Sequence, residues 1–191
     1  ITAPAKDQVS PTINPIVADE YLRLDKITSN ASCTTNAVNP VVAVMMASVG
    51  VKKAVLNTIH AYTSVQPTVD MPDKGEIFSR GRAAALNIVP YMTGAAKATI
   101  RAVPELKGKF DGLAVRVPVV SGSLIDFTFL AERPTTVEEI NDIFRKAAAS
   151  PEWQGILMAT DEQLVSTDIL GNPHGSIVNL DLTKVVDGDL V

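Results

Sequence analysis

From about Ile27 onward, stretches of alternating β-branched residues outnumber helix-like stretches, and the two kinds do not alternate regularly. Strict strand–helix alternation would build a doubly wound parallel sheet. The irregular order predicts instead an α+β fold, an antiparallel or mixed sheet with helices on one face. The apolar run from Ala37 through Val41, Val44, Met45 and Ser48 follows Ser32 and Thr34 and stops at Gly50, which predicts a largely buried helix of about four turns. Pro40 is expected near its start, where a missing N–H costs little. Lys53 to Thr63 predicts a strand ending near His60, with Val55, Asn57 and Ile59 on one side and Leu56, Thr58 and His60 on the other. Gly112 to Val120 predicts another, with Leu113, Val115, Val117 and Val119 on one face and Arg116 on the opposite one. Ser123 to Glu132 carries Ile125, Phe127 and Phe129 on one side. Ala95 to Ala102 is expected to be a short helix closed by Pro104. Thr136 and Glu139 have capping-box spacing ahead of an Ile140, Ile143, Phe144, Ala147 stripe. Val165 to Val178, with Gly171, Asn172 and Pro173, predicts strand, turn and strand. Ser64 to Arg82 predicts a long loop that is mobile or a contact surface. Pro4, Pro11 and Pro15 predict irregular chain over the first thirty residues.

Composition closes off several functions. The 191 residues are 46% hydrophobic and 20% charged, the balance of a folded domain and not of a disordered chain. They suffice for one domain, or one with a fragment of another. The longest unbroken apolar run, Val41 to Ala47, is far short of the ~18 residues of a membrane span, and no leader pattern is read, so no membrane role is expected. A net charge of −4 gives no global field for nucleic acid. The single cysteine, Cys33, excludes an internal disulfide and fits a reducing, cytoplasmic compartment. No metal site is expected. An opening at Ile1 without methionine is read as a piece of something longer.

That one cysteine lies in Ser32-Cys33-Thr34-Thr35 at the predicted start of a helix, where the dipole and exposed N–H groups favour a thiolate and can hold an oxyanion. His60 ends the strand that follows, so a short return brings the two within reach. The residues alone leave two readings open: an activated Cys–His pair, or a small buried cysteine and a satisfied histidine. Thr93 and Gly94 at the start of the alanine-rich helix suit an anion, since a bare glycine lets phosphate approach backbone N–H groups. Arg80, Arg82 and Arg116 are candidate bidentate phosphate partners, or ordinary surface charge. In combination, these features suit covalent chemistry on a phosphorylated carbonyl compound.

The segment S-N-A-S-C-T-T-N at Ser29 to Asn36 resembles the active-site segment of the glyceraldehyde-3-phosphate dehydrogenases. In that family's order follow H-A-Y-T at His60 to Thr63, R-G-R-A-A-A at Arg80 to Ala85, T-G-A-A-K-A at Thr93 to Ala98, P-E-L-K-G-K at Pro104 to Lys109 and R-V-P at Arg116 to Pro118. The resemblance covers essentially the whole chain. It implies a trailing segment of a nucleotide-binding domain over residues 1–30, with I-T-A-P at its head, and a C-terminally truncated catalytic domain over 31–191. A Gly-rich dinucleotide-binding half would precede Ile1, and an asparagine-bearing segment and a final helix would follow Val191.

The same resemblance implies roles. Cys33 would be the nucleophile and His60 the base that activates it and assists hydride departure. Thr63 and Arg116 would hold the C3 phosphate of glyceraldehyde 3-phosphate. Ser32, Thr34, Thr93, Gly94 and Arg80 would hold the attacking inorganic phosphate, and Thr2 would touch the NAD or NADP cofactor. The Ser64 to Arg82 loop would lie between subunits of a homotetramer. Val65, Pro67 and Val120 to Ser123 depart from the family's usual residues. The rivals are an erythrose-4-phosphate dehydrogenase and, for this segment alone, a non-catalytic folding or assembly module.

Overall fold

A computed structural model describes residues 3–4, 27–72 and 77–191. A four-stranded mixed sheet runs in the order β2-β3-β1-β4, where β1 is Lys53–Ala61, β2 Val89–Met92, β3 Phe110–Val117 and β4 Ser123–Leu130. Strands β1 and β3 are parallel, while β4 and β2 flank them antiparallel. The three helices are α1 (Cys33–Ser48), α2 (Ala95–Ala102) and α3 (Val137–Ala149), and a separate parallel pair joins β5 (Leu157–Thr160) to β6 (Ser176–Asn179). The expected mixed α+β sheet is therefore present.

Helix α1 is the centre of the core. It is apolar around most of its circumference, the pattern of a helix enclosed on several sides. Val38, Val42 and Met45 are fully buried, and the helix packs against α2, α3, β4 and β6. Ser32 caps its start by accepting the Thr35 N–H. Pro40 is the eighth helical residue and not an early one, because the helix begins at Cys33; it withholds one intrahelical hydrogen bond in the interior and is held there by burial. The capping-box reading of α3 holds at Thr136, whose hydroxyl accepts the Glu139 N–H at 3.2 Å. The Glu139 carboxylate turns away to Arg133, at 2.7 Å, and to Thr135.

One sheet face carries Leu56 and His60 of β1, Ala114 and Arg116 of β3, and Phe127 and Phe129 of β4, by their register. Leu56, Ala114 and Phe129 on that face are buried beneath the helices. The opposite face, with Val55, Leu113 and Leu124, is open: these three are 56%, 48% and 54% exposed. The apolar row along β3 thus lies on the outer face. Its inner positions, Gly112 and Ala114, are small. A methyl group on Gly112 would stand 2.6 Å from the Leu56 carbonyl oxygen and 2.8 Å from the Leu56 Cβ.

Two expectations fail at the C-terminal side. Residues 166–171 are turns and the stretch from Val165 is not a strand, because the Asp168 carboxylate takes the Val165 N–H at 2.7 Å that a ladder would need. The partner of β6 is β5, earlier in the chain and parallel. Strand β2 has no counterpart in the sequence reading. The 64–82 segment, over its described residues, straps onto itself: Met71 donates to the Gly81 carbonyl at 2.8 Å, and the Asp70 carboxylate accepts from Ala83 and Arg82. The Ala83 N–H, with help from Arg82, holds the Asp70 carboxyl below its ordinary range. Phe78 there is 83% exposed, in keeping with a contact surface.

The close approach of β1 and β3 predicts that Gly112→Ala destabilises the chain by roughly 1–3 kcal/mol, although alanine is the better strand residue, because backbone stands where the methyl must go. A urea midpoint equal to or above that of the parent chain contradicts the packing described.

Candidate active site

Ala31, just ahead of the α1 cap, has a φ of 57°, a left-handed conformation that costs a non-glycine residue about 1 kcal/mol or more. Ser29 holds it there. Its hydroxyl accepts the Ala31 N–H at 3.1 Å and donates to the Ala3 carbonyl at 2.7 Å. The turn delivers Cys33 to the first position of α1, with its side chain exposed.

Strand β1 brings His60 to meet it, with Cys33 Sγ 3.3 Å from His60 Nε2. The thiol is pulled down from 9.0 to about 7, chiefly by the His60 hydrogen bond, against burial that raises it; the His60 charge and the Thr34 N–H and hydroxyl add to the lowering. Behind the imidazole, Arg116 Nη1 stands 2.8 Å from His60 Nδ1 and 2.9 Å from the Ala61 carbonyl oxygen, itself 2.7 Å from Nδ1. The contact follows from register, since His60 and Arg116 are paired positions of β1 and β3. Burial lowers the hold of Arg116 on its proton, as does the neighbouring Arg80 charge to a smaller extent, while Tyr91 and Cys33 oppose them.

An open cleft of about 200 Å³ lies over this pair, lined by Ser32, Cys33, Thr34, His60, Thr93, Gly94 and Arg116 among others. Seven residues singled out in the sequence therefore share one wall. Thr93 Oγ1 accepts the Ala95 N–H at 3.1 Å, and a methyl on Gly94 would meet nothing within 4 Å, so the glycine there is not demanded by packing and leaves the mouth of α2 bare. Thr63 and Arg80 lie outside the cleft lining. Thr63, two residues beyond β1, directs its N–H to Gln66 Oε1 at 3.2 Å. Thr2 lies outside the described residues.

Tyr91 is the residue that sequence reasoning missed. It lines the cleft, with the Arg80 guanidinium 4.9 Å and the Arg116 guanidinium 5.5 Å from its ring centroid, so one aromatic ring serves two cations. The available signal was its place two residues before Thr93 in an extended V-P-Y-M stretch. Among the described residues no group of His, Cys, Asp and Glu could hold a metal ion, and no helix is long and apolar enough to cross a membrane.

Residues 32–191 match the family model described as glyceraldehyde 3-phosphate dehydrogenase, C-terminal domain. The chain belongs to this family. A glyceraldehyde-3-phosphate dehydrogenase of Borreliella burgdorferi is 47% identical over 181 residues, covering 94% of this chain and 53% of the relative. One from Zymomonas mobilis is 42% identical over 191 residues, covering 100% of this chain and 56% of the relative. One from Mycobacterium avium is 46% identical over 187 residues, covering 98% and 54%. The chain thus spans about half the length of the curated relatives it matches. The motifs that carried the glyceraldehyde-3-phosphate dehydrogenase resemblance from Ser32 onward all fall inside the matched region.

The Cys33 geometry sets the direction of its pH dependence. The folded thiol is ionised above about pH 7, so its alkylation rate should rise to a plateau with a midpoint near that value. In His60→Ala, the loss of the largest lowering cause should move the midpoint up toward ~8.5 or beyond, the ordinary thiol range. Iodoacetamide kinetics across pH measure both; identical midpoints in the two proteins contradict the pairing.

Proposed function

We propose that this chain is the catalytic portion of a phosphorylating glyceraldehyde-3-phosphate dehydrogenase, converting glyceraldehyde 3-phosphate to 1,3-bisphosphoglycerate in the full-length protein. The observation that carries this reading is the exposed Cys33 thiol 3.3 Å from His60 Nε2 at a helix N-terminus, with its pKa lowered to about 7. Residues 1–30 are read as the trailing segment of a nucleotide-binding domain, and 31–191 as the catalytic domain.

The sequence contains no G-x-G-x-x-G turn to cradle a dinucleotide. What the described residues fit is the reacting end of a nicotinamide cofactor: the thiol is exposed in the cleft, and Pro4, Met92 and Ala95 add apolar lining. NAD or NADP, when bound, supplies the hydride acceptor. Thr2 is assigned to that cofactor's contacts by the family resemblance.

In this mechanism the Cys33 thiol proton passes to His60 Nε2, the thiolate adds to the aldehyde carbon, and the oxygen, stabilised by N–H groups at the start of α1 as it gains charge, takes that proton to give the hemithioacetal. His60 Nε2 takes the hydroxyl proton of the resulting hemithioacetal as the hydride departs, leaving a thioester on Cys33. Inorganic phosphate, held by Ser32, Thr34, Thr93, Gly94 and Arg80, attacks the thioester carbonyl and releases the thiolate and an acyl phosphate. Thr63 and Arg116 hold the C3 phosphate throughout. The low thiol pKa serves both ends, since a stable thiolate is ready to attack and leaves well.

A homotetramer is part of this reading, supported by the open sheet face of Val55, Leu113 and Leu124 and by the exposed Phe78 of the 64–82 segment. A reducing, cytoplasmic setting suits an exposed thiol that titrates near neutrality.

In the full-length protein, Cys33→Ser should lower kcat by ~10³-fold or more in an assay of nicotinamide reduction with glyceraldehyde 3-phosphate and phosphate. Faster turnover of erythrose 4-phosphate, or turnover independent of phosphate, overturns the substrate assignment. Gly94→Ala should raise the KM for inorganic phosphate while stability changes by less than about 1 kcal/mol, since the methyl meets no protein atom; an unchanged KM removes Gly94 from the phosphate site.

A further inference from the structure

The antiparallel pairing of β2 with β3 sets Tyr91 opposite Ala114 and leaves Arg116 two residues further along the same face. Diagonal neighbours at that spacing come within reach when one side chain is aromatic and the other long. The Arg116 guanidinium accordingly stands 5.5 Å from the Tyr91 ring centroid. The Arg80 guanidinium reaches the same ring from a different element, the single turn Phe78–Gly81 that packs against β2, and stands 4.9 Å from the centroid. Tyr91 and Arg116 line the cleft, whereas Arg80 does not. The ring is thus a bridge from the cleft wall to a cation that the backbone leaves outside it.

Two like charges brought to one ring repel, and among the described residues no carboxylate pairs with Arg116 to offset them. Burial lowers the hold of Arg116 on its proton and the Arg80 charge adds to that, while Tyr91 is foremost among the groups that oppose them. An aromatic face differs from a carboxylate in what it leaves behind. It attracts a guanidinium through its π electrons and takes none of its N–H donors. Arg116 gives Nη1 to the Ala61 carbonyl oxygen at 2.9 Å, and among the described residues nothing accepts from its Nη2. A carboxylate in place of the ring would fill such donors and cancel the charge that an anionic ligand needs. We propose that Tyr91 is the positioning residue of a two-arginine anion site: its ring holds the Arg80 and Arg116 guanidiniums to one wall of the cleft without taking N–H donors from either, so that both act on phosphate groups bound there. Its part is played through the arginines and not on the reacting atoms. Which phosphates arrive is taken from the proposed function, in which Arg116 meets the C3 phosphate and Arg80 the inorganic phosphate, so that one ring serves both; the shared ring itself stands on the geometry.

The test varies the electrons of the ring and not its shape. Fluorine withdraws density from the face of a benzene ring and weakens its hold on a cation while leaving its size nearly unchanged. In the full-length protein, Tyr91 is replaced by phenylalanine and by mono-, di- and trifluorophenylalanine. Alkylation of Cys33 by iodoacetamide is then followed as a phosphate probe fills the cleft, at constant ionic strength against chloride. The probes are inorganic phosphate and glycerol 3-phosphate, a phosphate monoester with no aldehyde. Both should slow alkylation of the parent, because Cys33 and Arg116 line the same cleft. The probe concentration that gives half the effect should stay within about twofold in Tyr91→Phe and climb stepwise with fluorination, by about three- to tenfold at the trifluoro ring. The rings differ too little in size to unseat β2, so a graded loss is not a loss of structure. The role is overturned if either probe fails to slow alkylation of the parent, if the half-effect concentrations are flat across the series, or if fluorination moves one probe alone, which would tie the ring to a single arginine. No arm involves turnover. An inactive full-length protein with a graded series sinks the proposed function and leaves the role of the ring standing, while an active one with a flat series does the reverse.

Discussion

The parallel pairing of β1 with β3 is the constraint on which the rest depends. It requires that the two backbones lie close at Leu56 and Gly112, where any side chain on Gly112 would collide with main chain. The same register sets His60 opposite Arg116 at the carboxyl ends of the two strands. Helix α1 then has to lie across that sheet face with its N-terminus above the strand ends, because its buried side is fitted to Leu56 and Phe129 below it. Moving the β1–β3 register by one residue would carry His60 to the outer face, away from Cys33 and from the cleft.

The electrostatics of the site work by partial cancellation. Burial opposes the Cys33 charge and would raise its pKa, yet the imidazole hydrogen bond and the Thr34 donors outweigh it and bring the thiol to about 7. Arg116 pulls in two directions at once, stabilising the thiolate by charge and competing for the back of the imidazole that touches it. Two guanidinium groups sharing the Tyr91 ring make the cleft an anion-seeking surface on a chain whose net charge is −4. Local placement has overruled the average.

What could be read from the sequence was local. The Ser32 cap, the start of α2 at Thr93 and Gly94, the Thr136 cap and the two faces of β1 all follow from spacing within a few residues, where periodicity and capping chemistry act directly. The nearness of Cys33 and His60 was legible for the same reason, since one helix and one strand join them. Long-range choices were not. Whether the apolar row of β3 faces in or out depends on which face the helices cover, and Gly112 and Ala114 gave little hydrophobic signal for the buried side. Strand β2 is four residues long and exists because β3 pairs with it. Tyr91 gained its place from two arginines on other elements, and the β5–β6 pairing from a crossover made of turns, neither of which any window of sequence displays.

The spacing of the site residues along the chain has a consequence for how the protein is made. Cys33 and His60 are 27 positions apart and their elements are consecutive, so closing that contact takes little chain entropy. His60 and Arg116 are separated by 56 positions, and their contact waits for a parallel crossover that carries β2 and α2 with it, a slower topology to close. The thiol–imidazole pair is thus the local half of the site and the arginine its long-range half, and lengthening the chain between β1 and β3 would burden the closure of the second alone.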